Sequence, residues 1–150
     1  MGGAAQKPGT SVSERDEAKL HKPIVLIVED NDLNSVLLTD LLELSGYVTM
    51  RAHNGEEAMS LVNAQQPDLI VLDIQLPIMS GLDVLRWLKE DEWLRLIPVV
   101  VVTAFAMHTE ERIMREAGCD EYIAKPFSTR AFLRVVGQHL PRPPAYLHTV

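Results

Sequence analysis

Short apolar runs alternate five times with longer stretches of helical period, and this alternation limits the folds open to the chain more than any other feature. Each run has the length of a buried strand, and each stretch that follows is long enough for a crossover helix. Five strand–helix units predict an α/β fold, a doubly wound (βα)5 three-layer sandwich with a parallel sheet and right-handed crossovers. The predicted strands are 24–28, 48–52, 69–72, 99–102 and 122–124.

The stretches between the runs carry apolar residues at helical spacing and end at residues that stop helices. The fourth strand is wholly β-branched, so we expect it to be covered on both faces. Gly46 and Gly118 are predicted helix stops, and Ser128 is a predicted N-cap. The markers of the helices are Leu33, Leu37, Leu41 and Leu44; Ala58, Leu61 and Val62; Leu82, Leu85 and Leu88; the span 109–117; and Phe132, Leu133, Val136 and Leu140.

The length of the chain and its two ends predict one domain with a tail on each side. A chain of 150 residues, 47% of them hydrophobic, can bury a single core. We assign the domain to residues 23–140. Residues 1–22 lack a sustained apolar period and are interpreted as a disordered or vector-derived tail. Residues 141–150 form a short C-terminal tail, in which Pro141 and Pro144 match P-x-x-P but are better explained as helix termination.

The charge and cysteine content exclude several classes of function. The formal net charge is −7, and residues 23–140 hold 18 acidic against 9 basic side chains. Such an acidic body is repelled by nucleic acid and by anionic membrane surfaces. Cys119 is the only cysteine, and no apolar run approaches the roughly 20 residues that span a bilayer. We therefore expect a cytoplasmic protein without a membrane anchor.

Polar side chains follow four of the five predicted strands at the point where each strand ends. Glu29 and Asp30 follow the first strand, and Asp73 follows the third. Thr103 and Lys125 follow the fourth and fifth. In a doubly wound sheet, ligands bind beyond the carboxyl ends of the strands. Each of these residues alone is common in unrelated folds, but all of them in this order indicate one shared site.

Three carboxylates at one edge of a sheet repel one another unless a cation or a proton neutralises them. Mg²⁺ prefers oxygen ligands and is commonly held by one or two carboxylates together with phosphate oxygens and water. A carboxylate shielded by such an ion can act as a nucleophile towards phosphorus. Phosphoryl transfer then asks mainly for positioning and compensation of charge. Asp73 is the predicted nucleophile, and Thr103 and Lys125 suit the supporting roles.

Four segments of the chain resemble the marker stretches of response-regulator receiver domains, and the resemblance covers about residues 23–140. The text from Leu72 to Pro77, within the second segment, and from Thr103 to Met107, which begins in the third, resembles most closely the single-domain regulators of bacterial cell division and polarity. The resemblance implies a flavodoxin-like sheet with strand order 2-1-3-4-5. The segments are VLIVEDND at 25–32, LIVLDIQLPIMSG at 69–81, VVTA at 101–104 and YIAKPF at 122–127.

The resemblance also implies a role for each residue of the site. Asp73 would accept a phosphoryl group from a phosphohistidine donor. Asp30 and Asp73 would bind Mg²⁺, for which Mn²⁺ can substitute, with Glu29 acting through water and the Gln75 backbone carbonyl as a further ligand. The chain would then be no enzyme towards other substrates, since it would catalyse only its own phosphorylation and dephosphorylation.

A second group of residues is implied to report the phosphorylation. Thr103 and Lys125 would sense the phosphoryl group, and the Lys125–Pro126 peptide bond is expected to be cis. Tyr122 would rotate inward when Thr103 engages phosphate. Phe105, like Gln75, would border the path of the water that hydrolyses the phosphate.

The expected output is binding to other proteins, because no effector domain is expected after the fifth helix. The expected partners are a histidine kinase, a histidine phosphotransfer protein and a downstream regulatory protein. The predicted output face comprises the fourth helix, the fifth strand and the fifth helix, with Phe105, Met107, Ile113 and Met114 near it.

Three alternatives stay open from the sequence. A phosphate sink or relay receiver would share the whole site and differ in the lifetime of its phosphate. A phosphohydrolase of the haloacid-dehalogenase type needs a second acid two residues after the nucleophile, where this chain has Gln75. A flavodoxin-like binding module would place a flavin phosphate against the acidic strand ends, which would repel it.

Overall fold

The structure is a computed structural model that describes residues 22–104 and 108–140. Each of the five predicted strands is present, and each is followed by a helix. The strands are β1 (Ile24–Val28), β2 (Val48–Ala52), β3 (Leu69–Asp73), β4 (Val99–Thr103) and β5 (Glu121–Ala124). The helices are α1 (Asp32–Leu44), α2 (Gly55–Ala64), α3 (Gly81–Glu90), α4 (His108–Glu116) and α5 (Thr129–His139), with a short 3-10 helix at Leu94–Leu96.

All five strands pair in parallel in the order β2-β1-β3-β4-β5. The predicted fold class and strand order are therefore confirmed. Strands β3 and β4, which lie inside the sheet, are buried at every residue, as expected for strands covered by helices on both faces. The edge strands β2 and β5 are only partly buried, which explains why their apolar signal is weaker in the sequence.

Two hydrophobic cores cover the two faces of the sheet. One core packs α2, α3 and α4 against one face, and its fully buried side chains include Leu85 and Leu88. The other packs α1 and α5 against the opposite face, around Phe132 and Leu42. The sheet is thus the middle of three layers, and its carboxyl edge is the place where the polar strand ends meet.

The face of α1 that the sequence suggested is not the buried one. Leu33, Leu37 and Leu44 are largely exposed, although they mark the helix by their spacing. The side chains that face the core are Ser35, Leu38 and Leu42. Helix α1 carries leucines on more than one side, so the period of 3.6 residues predicts the helix without choosing between its faces.

A second correction concerns Met114, which the sequence analysis placed near the output face. Its side chain is 3% exposed and belongs to the core between α4 and the sheet. Its neighbour Ile113 is 37% exposed and does lie at the surface. Phe105 and Met107, predicted near the same face, lie outside the described residues, as do 1–21 and 141–150.

The predicted helix boundaries follow from local chemistry. Gly46 and Gly118 have φ values of 97° and 108°, which glycine adopts without strain, and each ends a helix. Ser128 caps α5, since its hydroxyl accepts a hydrogen bond from the Ala131 amide at 3.0 Å. The Lys125–Pro126 bond is cis, as expected.

In the described part of the chain, no helix has the length and apolar character needed to cross a bilayer.

Candidate functional site

The polar residues at the ends of the strands meet at the carboxyl edge of the sheet. Asp73 is the last residue of β3 and pairs in register with Val102, while Thr103 ends β4 and pairs with Ala124. Glu29 and Asp30 lie in the turn between β1 and α1. Because the strands are parallel and in register, their ends are level, and the side chains that follow them share one pocket.

Three carboxylates form the acidic part of this pocket. Glu29, Asp30 and Asp73 each offer an oxygen, and these oxygens lie within 4.8 Å of one another. Glu29 and Asp73 are 2% and 4% exposed, whereas Asp30 is exposed. The predicted convergence of these three side chains is therefore present, with one carboxylate at the mouth and two inside.

Lys125 reaches into the same pocket from the end of β5. Its Nζ lies 2.8 Å from Glu29 Oε1 and 3.1 Å from Asp73 Oδ2. Burial by itself would lower the pKa of Lys125, but the hydrogen bond to Glu29 and the charge of Asp73 outweigh this effect and raise it. The lysine is therefore charged at neutral pH and compensates part of the acidic charge.

The loop after β3 holds the Asp73 carboxylate from the other side. The Gln75 amide donates to Asp73 Oδ1 at 3.0 Å, so each oxygen of this carboxylate has a donor. Gly81 begins α3 against the Asp73 backbone, where a Cβ would lie 2.5 Å from the Asp73 carbonyl oxygen. Ser80 fixes the start of the helix through a capping box with Asp83. Asp73 is thus held at both its side chain and its main chain.

The ligand chemistry of the pocket fits a magnesium ion. The clustered donors are carboxylate oxygens, which Mg²⁺ prefers. Three carboxylates and one ammonium group leave a formal charge of −2, which a divalent cation would balance. The backbone amide of Gln75 lies beside Asp73, so the main chain at this residue borders the same pocket.

Thr103 is the last residue of β4, and Tyr122 lies on the neighbouring strand β5. Thr103 is fully buried, and its carbonyl accepts a hydrogen bond from the Lys125 amide at 2.8 Å. Tyr122 is partly buried against the core under α4. Burial, together with the charges of Glu110 and Glu111, raises the pKa of the Tyr122 hydroxyl.

Two residues that position the site were missed in the sequence analysis. Asn31 caps α1 by accepting a hydrogen bond from the Asn34 amide at 2.9 Å, and it thereby sets the turn that carries Glu29 and Asp30. Ser80 caps α3 in the same way, since its hydroxyl accepts a hydrogen bond from the Asp83 amide at 3.3 Å. The sequence signal for both was available, because Asn and Ser are favoured N-caps and Ser80 precedes an acid by three residues.

Comparison with known proteins gives a consistent result. The family model described as "Response regulator receiver domain" matches residues 25–136. A curated relative, the polar-differentiation response regulator DivK of Brucella anthropi, is 53% identical over 116 residues, which cover 77% of this chain and 94% of the relative. The chain is therefore a DivK-like sequence over nearly the full length of that relative.

Solved structures of receiver domains share this fold. The signal receiver domain of a signal transduction histidine kinase from Syntrophus aciditrophicus has a TM-score of 0.74 at 35% identity, over 79% of this chain and 89% of that one. The receiver domain of the sensor histidine kinase PA1611 from Pseudomonas aeruginosa has a TM-score of 0.73 at 28% identity, over 79% and 98%. That structure holds a magnesium ion in its active-site cleft. By its sequence, its strand order and the residues at its strand ends, the chain belongs to the response regulator receiver domain family, whose members act in two-component signalling.

Proposed function

We propose that this chain is a phosphorylation switch that takes a phosphoryl group from a phosphohistidine donor onto Asp73. The observation that carries the proposal is the pocket in which Glu29, Asp30 and Asp73 lie within 4.8 Å of one another and Lys125 contacts two of them. A nearly buried carboxylate with a fixed orientation, beside charges that can compensate a phosphoryl group, is suited to nucleophilic attack on phosphorus.

The transfer is a displacement at phosphorus. A carboxylate oxygen of Asp73 forms the new P–O bond while the P–N bond of the donor breaks, and the electron pair of that bond returns to the imidazole ring. Glu29, Asp30, Asp73 and the Gln75 backbone carbonyl would hold Mg²⁺ or Mn²⁺, which would supply positive charge to offset that of the phosphoryl oxygens. Lys125 supplies a further positive charge from the protein.

Phosphorylation adds roughly two negative charges at Asp73 and biases the protein between two conformations. We assign the sensing of this charge to Thr103 and Lys125, which are already linked through a backbone hydrogen bond. Tyr122 and Phe105 would then respond, Tyr122 by turning towards the space beside Thr103. We propose that the chain acts as a switch and catalyses only its own phosphorylation and dephosphorylation.

The donor is a histidine kinase or a histidine phosphotransfer protein, and its docking site adjoins the pocket. A cavity of about 450 Å³ lies between α1 and the loop after β5, lined by Leu37, Leu38, Pro126 and Phe127. Lys125 lines the same cavity and also contacts Asp73. A donor surface seated on these apolar side chains would therefore carry its phosphohistidine to the acidic pocket.

The downstream regulatory protein binds elsewhere, on the face formed by α4, β5 and α5. Ile113 on α4 is exposed there, and Tyr122 on β5 is only partly buried. The acidic charge of the chain argues against nucleic acid as the direct target. The one cysteine and the family of two-component regulators are consistent with action in the cytoplasm.

A phosphohydrolase of the haloacid-dehalogenase type is disfavoured by the position of Gln75. That mechanism needs an acid at this position to protonate a leaving group, and an amide cannot do so. Gln75 instead supports Asp73 through its backbone amide.

The test is the intact mass of the chain after incubation with acetyl phosphate, with and without Mg²⁺. We expect one phosphoryl group per chain with Mg²⁺, mapped to Asp73, and none for Asp73→Asn. Asp40→Asn removes an exposed carboxylate on α1 and serves as the matched control, which should be labelled like the wild type. Labelling of Asp73→Asn at the wild-type level would remove Asp73 from its proposed role.

A further inference from the structure

The loop between β3 and α3 contains a strained turn centred on Ile78. The Met79 amide donates to the Pro77 carbonyl at 2.7 Å, and the single residue enclosed by this hydrogen bond has a φ of 69°. A hydrogen bond from residue i+2 to residue i with positive φ at the centre defines the rarer and strained form of the γ-turn. A β-branched side chain is especially disfavoured at positive φ. Ile78 therefore holds a costly conformation.

No packing of the Ile78 side chain within the described residues offsets the free energy of this strained conformation, because the residue is 97% exposed. Its neighbour Met79 does pack inward. The Met79 sulfur lies so close to Gly55 that a Cβ there would meet it at 2.8 Å, and Met79 contacts the core beneath α2 and α3. The turn thus buries Met79 and presents Ile78 to the outside on an anchored loop.

The loop that presents Ile78 is also the loop that holds Asp73. The Gln75 amide bonds to the Asp73 carboxylate, and the Gly81 amide closes the loop on the Ile74 carbonyl at 2.8 Å. Asp73 is only 4% exposed, so a protein that delivers a phosphoryl group to it must contact the rim of the pocket. Ile78 lies in the loop that follows Asp73, and a partner surface that covers its exposed apolar side chain would contribute favourably to binding.

We infer that Ile78 is a docking contact for the phosphodonor protein and helps to determine which donor the chain accepts. This inference rests on the proposed function. The partner feature that fits Ile78 is an apolar surface beside the phosphohistidine, large enough to cover a branched aliphatic side chain. The strain at Ile78 is the kind of local cost that is retained at sites of function.

The experiment compares two donors on variants of the full chain. Acetyl phosphate probes the pocket alone, and a purified histidine phosphotransfer domain that phosphorylates the wild type probes docking. Ile78→Gly removes the side chain and with it the strain that a Cβ causes at positive φ, whereas Ile78→Val keeps an apolar β-branched side chain. Leu96→Asn is the matched control, since Leu96 is 71% exposed but lies just before β4, at the opposite end of the sheet.

We expect Ile78→Gly to accept phosphate from acetyl phosphate at a rate within about twofold of the wild type, and from the protein donor with a kcat/KM reduced about tenfold. Its midpoint of urea unfolding should not fall, because the backbone strain is relieved. Ile78→Val should retain most of the protein-dependent rate, and Leu96→Asn should match the wild type with both donors.

The other outcomes separate this inference from the function on which it rests. Equal rates with the protein donor for Ile78→Gly and the wild type would overturn the docking role alone. An equal reduction in the rate of phosphorylation with both donors would mean that the turn shapes the pocket, and this result would also overturn the docking role. A wild-type chain that acetyl phosphate does not label at Asp73 would overturn the proposed function, and the inference with it.

Discussion

The ammonium group of Lys125 lies 3.1 Å from a carboxylate oxygen of Asp73, although 52 positions separate the two residues in the chain. The same ammonium contacts Glu29, and the Lys125 backbone amide is bonded to Thr103. One residue therefore touches the end of β1, the end of β3 and the end of β4. A change of charge at Asp73 therefore acts directly on Lys125, whose backbone is hydrogen-bonded to the end of β4.

Removing this ammonium should destabilise the metal-free protein. Lys125→Ala leaves two nearly buried carboxylates without their shared partner, and we expect the free energy of unfolding to fall by about 1–3 kcal/mol. Saturating Mg²⁺ should restore part of the lost free energy of unfolding, because it neutralises the same carboxylates. Urea unfolding in chelator and in Mg²⁺ measures both effects. Arg130→Ala, which removes an exposed charge on α5, should change stability by less than about 0.5 kcal/mol in either buffer.

Chelation of divalent metal should stop the phosphorylation of Asp73 without unfolding the chain. The two hydrophobic cores contain none of the three carboxylates, so the fold does not depend on the ion. Intact mass and far-UV circular dichroism of the same sample measure labelling and folding together. Adding Mg²⁺ or Mn²⁺ back should restore labelling. Undiminished transfer in chelator would contradict the assignment of a metal site.

A methyl group at Gly81 should disturb both stability and the site. The Cβ of Gly81→Ala would lie 2.5 Å from the Asp73 carbonyl oxygen and 2.7 Å from Ile74 Cα, so the backbone must shift. We expect the free energy of unfolding to fall by about 1–3 kcal/mol, together with slower labelling by acetyl phosphate.

Gly137→Ala is the matched control for that prediction. Gly137 lies within α5, and a Cβ there has no neighbour within 4 Å. Alanine should therefore raise the free energy of unfolding by about 0.5–1 kcal/mol, because it favours the helix over glycine. Urea unfolding of both variants checks the pair, and a similar loss of stability in each would show that the close approach at Gly81 is not the cause.

The thiol of Cys119 should be inert in the folded chain. Burial raises its pKa from 9.0 to about 11. At pH 8 only about one thiol in a thousand is then ionised, so Ellman's reagent should react slowly until urea unfolds the chain. Because folding favours the protonated thiol, its contribution to stability is complete below about pH 9 and should be lost as the pH rises towards 11. Fast reaction of the native protein would show that Cys119 is accessible.

Much of the pocket was predictable because strand ends are local features. Apolar runs mark the strands, and the residue after each run is known once the run is recognised. In a parallel sheet the carboxyl ends lie at one edge, so Glu29, Asp30, Asp73, Thr103 and Lys125 could be assigned to one site before any coordinates existed. Their distances could not be predicted, since these depend on how five distant segments pack.

The face of α1 that enters the core shows the limit of this reasoning. Leucines at 33, 37 and 44 and leucines at 38 and 42 both satisfy a helical period, and only packing against the sheet selects the second set. The close approach of Gly81 to the Asp73 backbone likewise depends on where α3 packs, which no local pattern predicts.

The amino-acid sequence by itself determined the order of the elements, the parallel sheet and the identity of the polar residues at its carboxyl edge, because each depends on local periodicity and on a topology that right-handed crossovers restrict. Tertiary structure alone decided that Lys125 bridges Glu29 and Asp73, and that Ile78 points outward from a strained turn. These features depend on contacts between side chains and loops that lie far apart in sequence. The conformation that these segments adopt is selected by the free energy of packing, which no local sequence pattern encodes.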